Sequence, residues 1–386
     1  MSGVVIVGAG QAAAECATVL RAGGYSAPIT IVGDEPYLPY QRPPLSKDFL
    51  SGKSPREKLE LRPKDFWSAQ KVTLELGTPV KAIDRAKRCV TLAGGRTIDY
   101  GTLVLATGTR SRLPPLPGIQ LDRVHLLRRI DDVTRLRPAL DAAKRIAIVG
   151  GGYIGLEVAA VARSEGRDVT VLEAEDRVMK RVTSPPVSAF YEGMHRSRGV
   201  DIRLNTKIEA IDGGTRAEGL RLAGGARIDT DLVLIATGAL PNEELAAEAG
   251  LACDNGIVVD EFAHTADEHV YAIGDCTRFP SRRYGRRIRL ECVQNAFDQA
   301  KAAAAAMLGK PAAYDPVPWF WSDQYDVKFQ SAGLSEGYEE ANIVGDPANP
   351  HFSVEYRKGG KLIAVDAVND GRAYMAGRKR IAAETG

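Results

Sequence analysis

The sequence predicts an α/β protein that uses one β-α-β unit twice and ends in a smaller α+β domain. Three observations carry this. The string VVIVGAGQAA (4–13) is a β-branched run ending in glycines, and IAIVGGGYIGLE (146–157) repeats it. A helix-spaced stretch follows each, then a second strand, ITIVGDE (29–35) in one case and VTVLEAE (169–175) in the other. Finally, LVLATGTR (103–110) and LVLIATGAL (232–240) are apolar strands ending in Ala-Thr-Gly, each placed after its own unit.

The glycines define the chemistry of the repeat. Gly8 and Gly150 permit a tight turn, Gly10 and Gly152 let backbone approach a pyrophosphate, and Ala13 and Gly155 let the helix pack on the strand. A pyrophosphate placed there meets the N–H groups and positive dipole end of the following helix. One such turn also occurs as a plain strand–helix connection with no ligand. Two copies, each with an acid about 20 residues further on, point to two bound dinucleotides and two Rossmann-like domains. Asp34, with Glu35 beside it, and Glu173 are those acids, suited to accept hydrogen bonds from ribose hydroxyls. A further strand, VYAIG, delivers Asp275 at the carboxyl edge where open α/β sheets bind ligands. The competing role for Asp275 is capping the next helix, expected over about 293–308.

Length and composition set the frame. A chain of 386 residues exceeds one ordinary core. We expect a discontinuous first dinucleotide domain (1–112 and 241–312), an inserted second one (113–240) and a C-terminal domain (313–386). The last alternates strands such as HFSVEYR and KLIAVDAVN, with Trp319, Phe320 and Trp321 reading as core. A net charge of +2 gives no reason to expect nucleic acid or a membrane surface as partner. No apolar run reaches the roughly 18 residues of a membrane span. The start MSGVVIVGAG lacks a basic leader and reads as a first strand, so the expected compartment is the cytoplasm. The five cysteines form no C-x-x-C pair, which argues against a zinc site, an iron–sulfur site and a redox-active disulfide; no metal is expected.

Further strings extend the pattern: PYQRPPLSKDFL (39–50), RVTSPPVSAFYE (181–192), YAIGDC (271–276), RLECVQNA (289–296) and PWFWSDQY (318–325). With VGGGYIGLEVAA (149–160), they make the chain resemble the FAD-dependent NADH:ferredoxin reductase family, which serves cytochrome P450 and Rieske oxygenase systems. The resemblance implies a glutathione-reductase-like architecture, FAD in the first unit and NADH as co-substrate in the second. FAD contacts carried over by position are Gly10, Gln11, Ala12, Asp34, Arg42, Lys47, Val80, Ala106, Thr107, Gly108, Arg128, Asp275 and Val293, with Trp321 screening the ring. The NADH side takes Gly152, Tyr153, Ile154, Glu157, Glu173, Arg181 and Gly238. The implied partner is an acidic [2Fe-2S] ferredoxin supplying a cytochrome P450 monooxygenase. A Rieske dioxygenase, or an NADH-sensing flavoprotein like apoptosis-inducing factor, is the alternative setting. The sequence stops soon after VNDGRAYMAGRKRI, short of the family pattern.

Lys47 and Glu157 are the residues implied to act at the flavin. Read from the residues alone, Lys47 is a solvated lysine and Glu157 a first-turn glutamate favouring the helix dipole. The resemblance instead places the Lys47 charge beside the flavin, with Glu157 as its pair. Glu173 favours NADH by repelling a 2′-phosphate, although Arg177, Lys180 and Arg181 nearby could bind one. The string SRRYGRRIRLE (281–291) sets Arg282, Arg283, Arg286, Arg287 and Arg289 on a predicted hairpin. It is either a solvated basic hairpin or a docking patch for the ferredoxin.

Overall fold

The chain, in a computed structural model that describes residues 3–384, divides into two compact units, each assembled from separate stretches. The first takes the chain up to Gln41, Arg56–Arg110 and Leu240–Pro318. Its run Val4–Val7 is buried throughout because it is the central strand of a five-stranded sheet. The order is Val270–Ala272, Thr102–Leu105, Val4–Val7, Ile29–Val32, Val72–Glu75, and all neighbours are parallel. Parallel strands covered on both faces read as unbroken apolar runs, as these do. Helices Gln11–Ala22 and Val293–Met307 pack together. Their contact residues are small, among them Ala13, Cys16, Ala17, Ala300, Ala303 and Ala304, so the helices approach closely.

The second unit takes Arg42–Pro55, Ser111–Ala239 and the chain from Trp319 onward. Its parallel sheet runs Asp201–Arg203, Asp168–Leu172, Arg145–Val149, Leu232–Ile235, Val124–His125. The arrangement repeats that of the first unit. Gly8 N–H donates to Val32 O at 2.7 Å and Ala106 N–H to Val7 O at 2.7 Å; Gly150 and Ala236 make the matching bonds to Leu172 and Val149 at 2.8 Å. The repetition seen in sequence is thus a repetition of backbone.

The C-terminal α+β segment forms an antiparallel sheet ordered Trp319–Gln324, Val327–Gly333, Lys361–Val368, Phe352–Lys358, Glu340–Gly345. Helix Gly371–Glu384 packs on it. The sequence reading kept 313–386 apart. Here strand Trp319–Gln324 and the short turn Pro43–Ser46 both pack on helix Tyr153–Ser164, so they join the second unit. Among the described residues no helix is long and apolar enough to cross a membrane.

Two buried groups tie the C-terminal sheet to the loop and helix around 183–197. Asp366, 1% exposed, accepts Thr183 Oγ1–H at 2.8 Å and the Tyr356 hydroxyl at 2.6 Å. His195 Nε2 lies 2.8 Å from Gln324 Oε1. Burial pushes the Asp366 carboxyl up to about 6 and the His195 imidazole down to about 4. Their pH effects oppose each other. Between about pH 4 and 6 the folded state holds the Asp366 proton more tightly than the unfolded chain, so this contribution raises stability as pH falls through 6. His195 is protonated first in the unfolded chain, so its contribution is lost as pH falls from about 6.5 towards 4. Asp366→Asn removes only the first effect. Its melting temperature should therefore drop relative to the parent protein between pH 7 and pH 5, by a stability difference of about 1 kcal/mol. A difference independent of pH contradicts this account of Asp366.

Candidate functional site

In the first unit three chain turns converge at the carboxyl edge of the parallel sheet: 8–10, 106–108 and 273–275. Gly8 has φ +112°, and a Cβ there would lie 2.1 Å from Ala106 O, so the turn itself demands glycine. Gly10 differs. Its φ of −96° suits any residue, and no described atom lies within 4 Å of a Cβ built on it. Nothing among the described residues requires glycine at position 10, whereas a pyrophosphate lying against the backbone would. The helix that follows, Gln11–Ala22, has no side-chain cap. A Cβ built on Gly274, at φ +82°, would lie 3.2 Å from Ala12 Cβ, so the loop that carries Asp275 runs close to that helix start. The next helix begins only at Val293, with Cys292 at its N-cap position, so Asp275 is not the N-cap of that helix. Thr107 is braced by Asn242, through Thr107 Oγ1–H to Asn242 O at 2.6 Å and Asn242 Nδ2–H to Thr107 O at 2.8 Å.

The acids of the first unit are offset from the position Glu173 holds in the second. Register pairs Val7 with Val32 and Val149 with Leu172, so Gly33 stands where Glu173 stands in the repeat. A Cβ at Gly33 would meet Ala9 Cβ at 2.6 Å, and the carboxylates come one and two residues later. Asp34 is exposed; Glu35 is buried and accepts the Tyr40 hydroxyl at 2.6 Å. Gln11, Val80, Ala106, Gly108 and Val293 also belong to this unit, whereas Arg42, Lys47, Arg128 and Trp321 belong to the second.

The second turn is built the same way. Gly150 has φ +107° and would place a Cβ 2.5 Å from Ala236 O; Gly152 has no described atom within 4 Å. A Cβ at Gly155 would sit 2.2 Å from Gly150 O, so the helix lies directly on the turn. Arg181 covers Gly238, with Nη2 3.2 Å from a Cβ built there. Two large apolar side chains are left exposed nearby in sequence, Ile154 after the turn and Val182 beside Arg181. Tyr153 stacks on Phe320 with ring centroids 4.5 Å apart.

Glu173 is held in place. Its Oε2 accepts Gly151 N–H at 2.7 Å and its Oε1 accepts Glu175 N–H at 3.0 Å. Two of the neighbouring cations that could have welcomed a phosphate, Lys180 and Arg177, are engaged elsewhere. Lys180 pairs with Glu175 at 2.9 Å and Asp176 at 3.2 Å. Arg177 donates to Thr183 O and Ser188 Oγ, both at 2.7 Å.

Lys47 and Glu157 are paired at 2.8 Å, and Glu157 is almost fully buried. Ser46 Oγ–H and Ser322 Oγ–H also donate to its carboxylate. Both bare readings of these residues therefore give way to a buried pair. Arg42 Nη1–H donates to Arg128 O at 2.7 Å, so the two carried-over arginines are neighbours. Ser46 and Ser322 escaped the sequence reading. Ser322 and Gln324 alternate on one face of a strand otherwise rich in aromatics, and that polar alternation is the signal that could have found them.

The basic hairpin is present, with Thr277–Ser281 antiparallel to Arg286–Ile288. Its arginines are not equivalent. Arg282, Arg286 and Arg287 are exposed, Arg283 is half-buried, and Arg289 turns inward to Glu291 at 2.6 Å. All five cysteines are free thiols, and burial pushes Cys16 and Cys292 up to about 12, far from reactive thiolates.

Comparison with known proteins agrees with this geometry. The pyridine nucleotide-disulphide oxidoreductase pattern matches residues 2–303, and a reductase C-terminal pattern matches 319–386. Rhodocoxin reductase of Rhodococcus erythropolis is 45% identical over 99% of this chain and 90% of its own. Putidaredoxin reductase of Pseudomonas putida is 46% identical over 95% of this chain and 88% of its own. The solved covalent putidaredoxin reductase–putidaredoxin complex superposes with a TM-score of 0.96 at 43% identity, covering 99% of this chain and 93% of the other.

Proposed function

The chain belongs to the pyridine nucleotide-disulphide oxidoreductase family, and from that premise we propose an NADH-dependent ferredoxin reductase that supplies a cytochrome P450 monooxygenase. One observation carries the reading: two glycine turns whose middle glycines, Gly10 and Gly152, face open space that the protein does not need. FAD, once bound, would supply the chemistry that couples two-electron oxidation of NADH to one-electron reduction of a [2Fe-2S] ferredoxin.

The chain's own residues bind, orient and tune. Residues 1–112 and 241–312 form the FAD-binding segment, 113–240 the NADH-binding segment and 313–386 the C-terminal domain. Gly8, Gly10, Gln11 and Ala12 present backbone to the FAD pyrophosphate, with Asp34 and Asp275 serving its hydroxyls. Arg42, Lys47 and Arg128 add positive charge, and Trp321 an apolar cover. On the NADH side Gly150, Gly152, Tyr153, Ile154, Gly155 and Gly238 shape the binding surface. With no cysteine pair available, disulfide reduction is excluded from the reading, and the acceptor is a separate protein. The cytoplasm is the compartment it assigns.

The pinned carboxylate of Glu173 supports NADH over NADPH, because a 2′-phosphate brought there meets a fixed negative charge. Glu173→Ala should reduce the NADH-to-NADPH ratio of kcat/KM by about tenfold or more, since one charged hydrogen-bond partner is worth roughly 1.5–3 kcal/mol. An unchanged ratio removes Glu173 from the argument.

The exposed arginines support docking of an acidic partner. Reversing Arg282 and Arg286 to glutamate together should slow ferredoxin-dependent cytochrome c reduction by roughly tenfold at low salt and less at high salt. Reduction of a small dye by NADH should be unaffected. Equal loss with both acceptors rules out a docking role.

A further inference from the structure

Glu157 sits at the end of a buried line of hydrogen bonds that crosses the second unit. Its Oε1 takes Lys47 Nζ at 2.8 Å and Ser322 Oγ–H at 2.6 Å, and its Oε2 takes Ser46 Oγ–H. Ser322 Oγ in turn accepts Gln324 Nε2–H at 3.3 Å, and Gln324 Oε1 faces His195 Nε2 at 2.8 Å. An amide oxygen only accepts, so the proton of His195 resides on Nε2. His195 Nδ1 is buried and has no hydrogen-bond partner among the described residues. A ring so placed is neutral at physiological pH, in keeping with the depressed value of about 4.

Every hydrogen in the line thus points one way, from His195 to Gln324 to Ser322 to Glu157. Bonds aligned head to tail polarise one another, and the anion at the end gains from each. Three segments meet in this line: helix Pro185–Ser197, strand Trp319–Gln324 and helix Tyr153–Ser164. A lysine partner alone leaves a carboxylate free to rotate. Donors on both oxygens from Ser46, Lys47 and Ser322 fix it. The remaining titratable groups near Glu157 are Tyr153 and Tyr191, both neutral because burial pushes their hydroxyls up. Beside His195 stand Arg198 and the Tyr325 ring, the latter with centroids 5.2 Å apart.

We infer that Ser322, Gln324 and His195 are positioning residues for Glu157: they hold its carboxylate in one orientation against Lys47, and so set the field this pair presents to FAD. The inference rests on the reading that Lys47 and Glu157 act beside bound FAD.

The test is the midpoint potential of the FAD-loaded protein, measured by dye equilibration at pH 7. The difference between the parent protein and Glu157→Gln isolates the effect of the Glu157 carboxylate. Ser322→Ala removes one of three donors to that carboxylate and should shift the potential part of the way towards that of Glu157→Gln. Ser322→Thr keeps the hydroxyl and should restore the parent value. Gln324→Leu, acting one bond further away, should shift it in the same direction by less. If Glu157→Gln leaves the potential unchanged, the placement of the pair beside FAD is wrong. If that difference is present but Ser322→Ala leaves the potential unmoved, the positioning line is overturned. If Ser322→Ala shifts the potential and Gln324→Leu does not, the line ends at Ser322, and Gln324 and His195 lose their assignment.

Discussion

Gly10→Val is expected to give a protein that folds and is colourless. The backbone at position 10 is extended, with φ −96° and ψ −162°, which valine adopts readily. Its Cβ enters space that no described atom occupies. The only group a side chain displaces there is one that is not protein. FAD affinity should fall at least about a hundredfold, or roughly 2.7 kcal/mol, while the melting temperature of the FAD-free form stays within a degree or two of the parent's. Gly8→Ala provides the contrast. With φ +112° and Ala106 O only 2.1 Å from the added carbon, that variant strains the turn and should lower stability whether or not FAD is present. A yellow Gly10→Val protein with ordinary FAD content contradicts the assignment of the first turn.

Gly152→Val is expected to do the reverse: retain FAD and lose NADH. The second turn repeats the first, with open space at Gly152 and a closed contact at Gly150. The purified variant should be yellow, and the NADH concentration needed for half-maximal bleaching should rise at least about a hundredfold. Chemical reduction by dithionite should remain complete, since only the dinucleotide on the other turn is displaced. If Gly10→Val and Gly152→Val lose the same ligand, the two turns are not divided between FAD and NADH.

The two variants also show which parts of the protein could be read from sequence. The glycine turns are local: strand, glycine spacing and helix follow within a dozen residues, and each glycine answers to a neighbour or to a ligand. The paired strands ending in Ala-Thr-Gly were legible for the same reason, and the helix from Val293 began where its pattern did. The acid of the first unit was legible only roughly. Close packing of Gly33 against Ala9 displaces the carboxylate from the place Glu173 holds, and residue spacing alone does not register that contact.

What escaped the sequence was long-range. Ser46, Lys47 and Ser322 meet Glu157 across gaps of 111, 110 and 165 positions, and although polar alternation singles out Ser322, nothing local says that its partner is Glu157. Only the Lys47–Glu157 pair was anticipated, through the resemblance. The inward turn of Arg177 and the pairing of Lys180 were equally hidden. In sequence they looked like phosphate ligands beside Glu173, and in three dimensions their donors are already taken. The arginine hairpin was visible as a run of charge, but the loss of Arg289 to Glu291 was not.

The account depends on two dinucleotides meeting one chain, and an anaerobic titration of the purified, FAD-supplemented protein with NADH addresses this most directly. The expected result is a yellow protein carrying one FAD per chain, bleached by a single equivalent of NADH and recoloured when oxidised ferredoxin is added. A protein that takes up no FAD, or one that stays yellow in excess NADH, contradicts it.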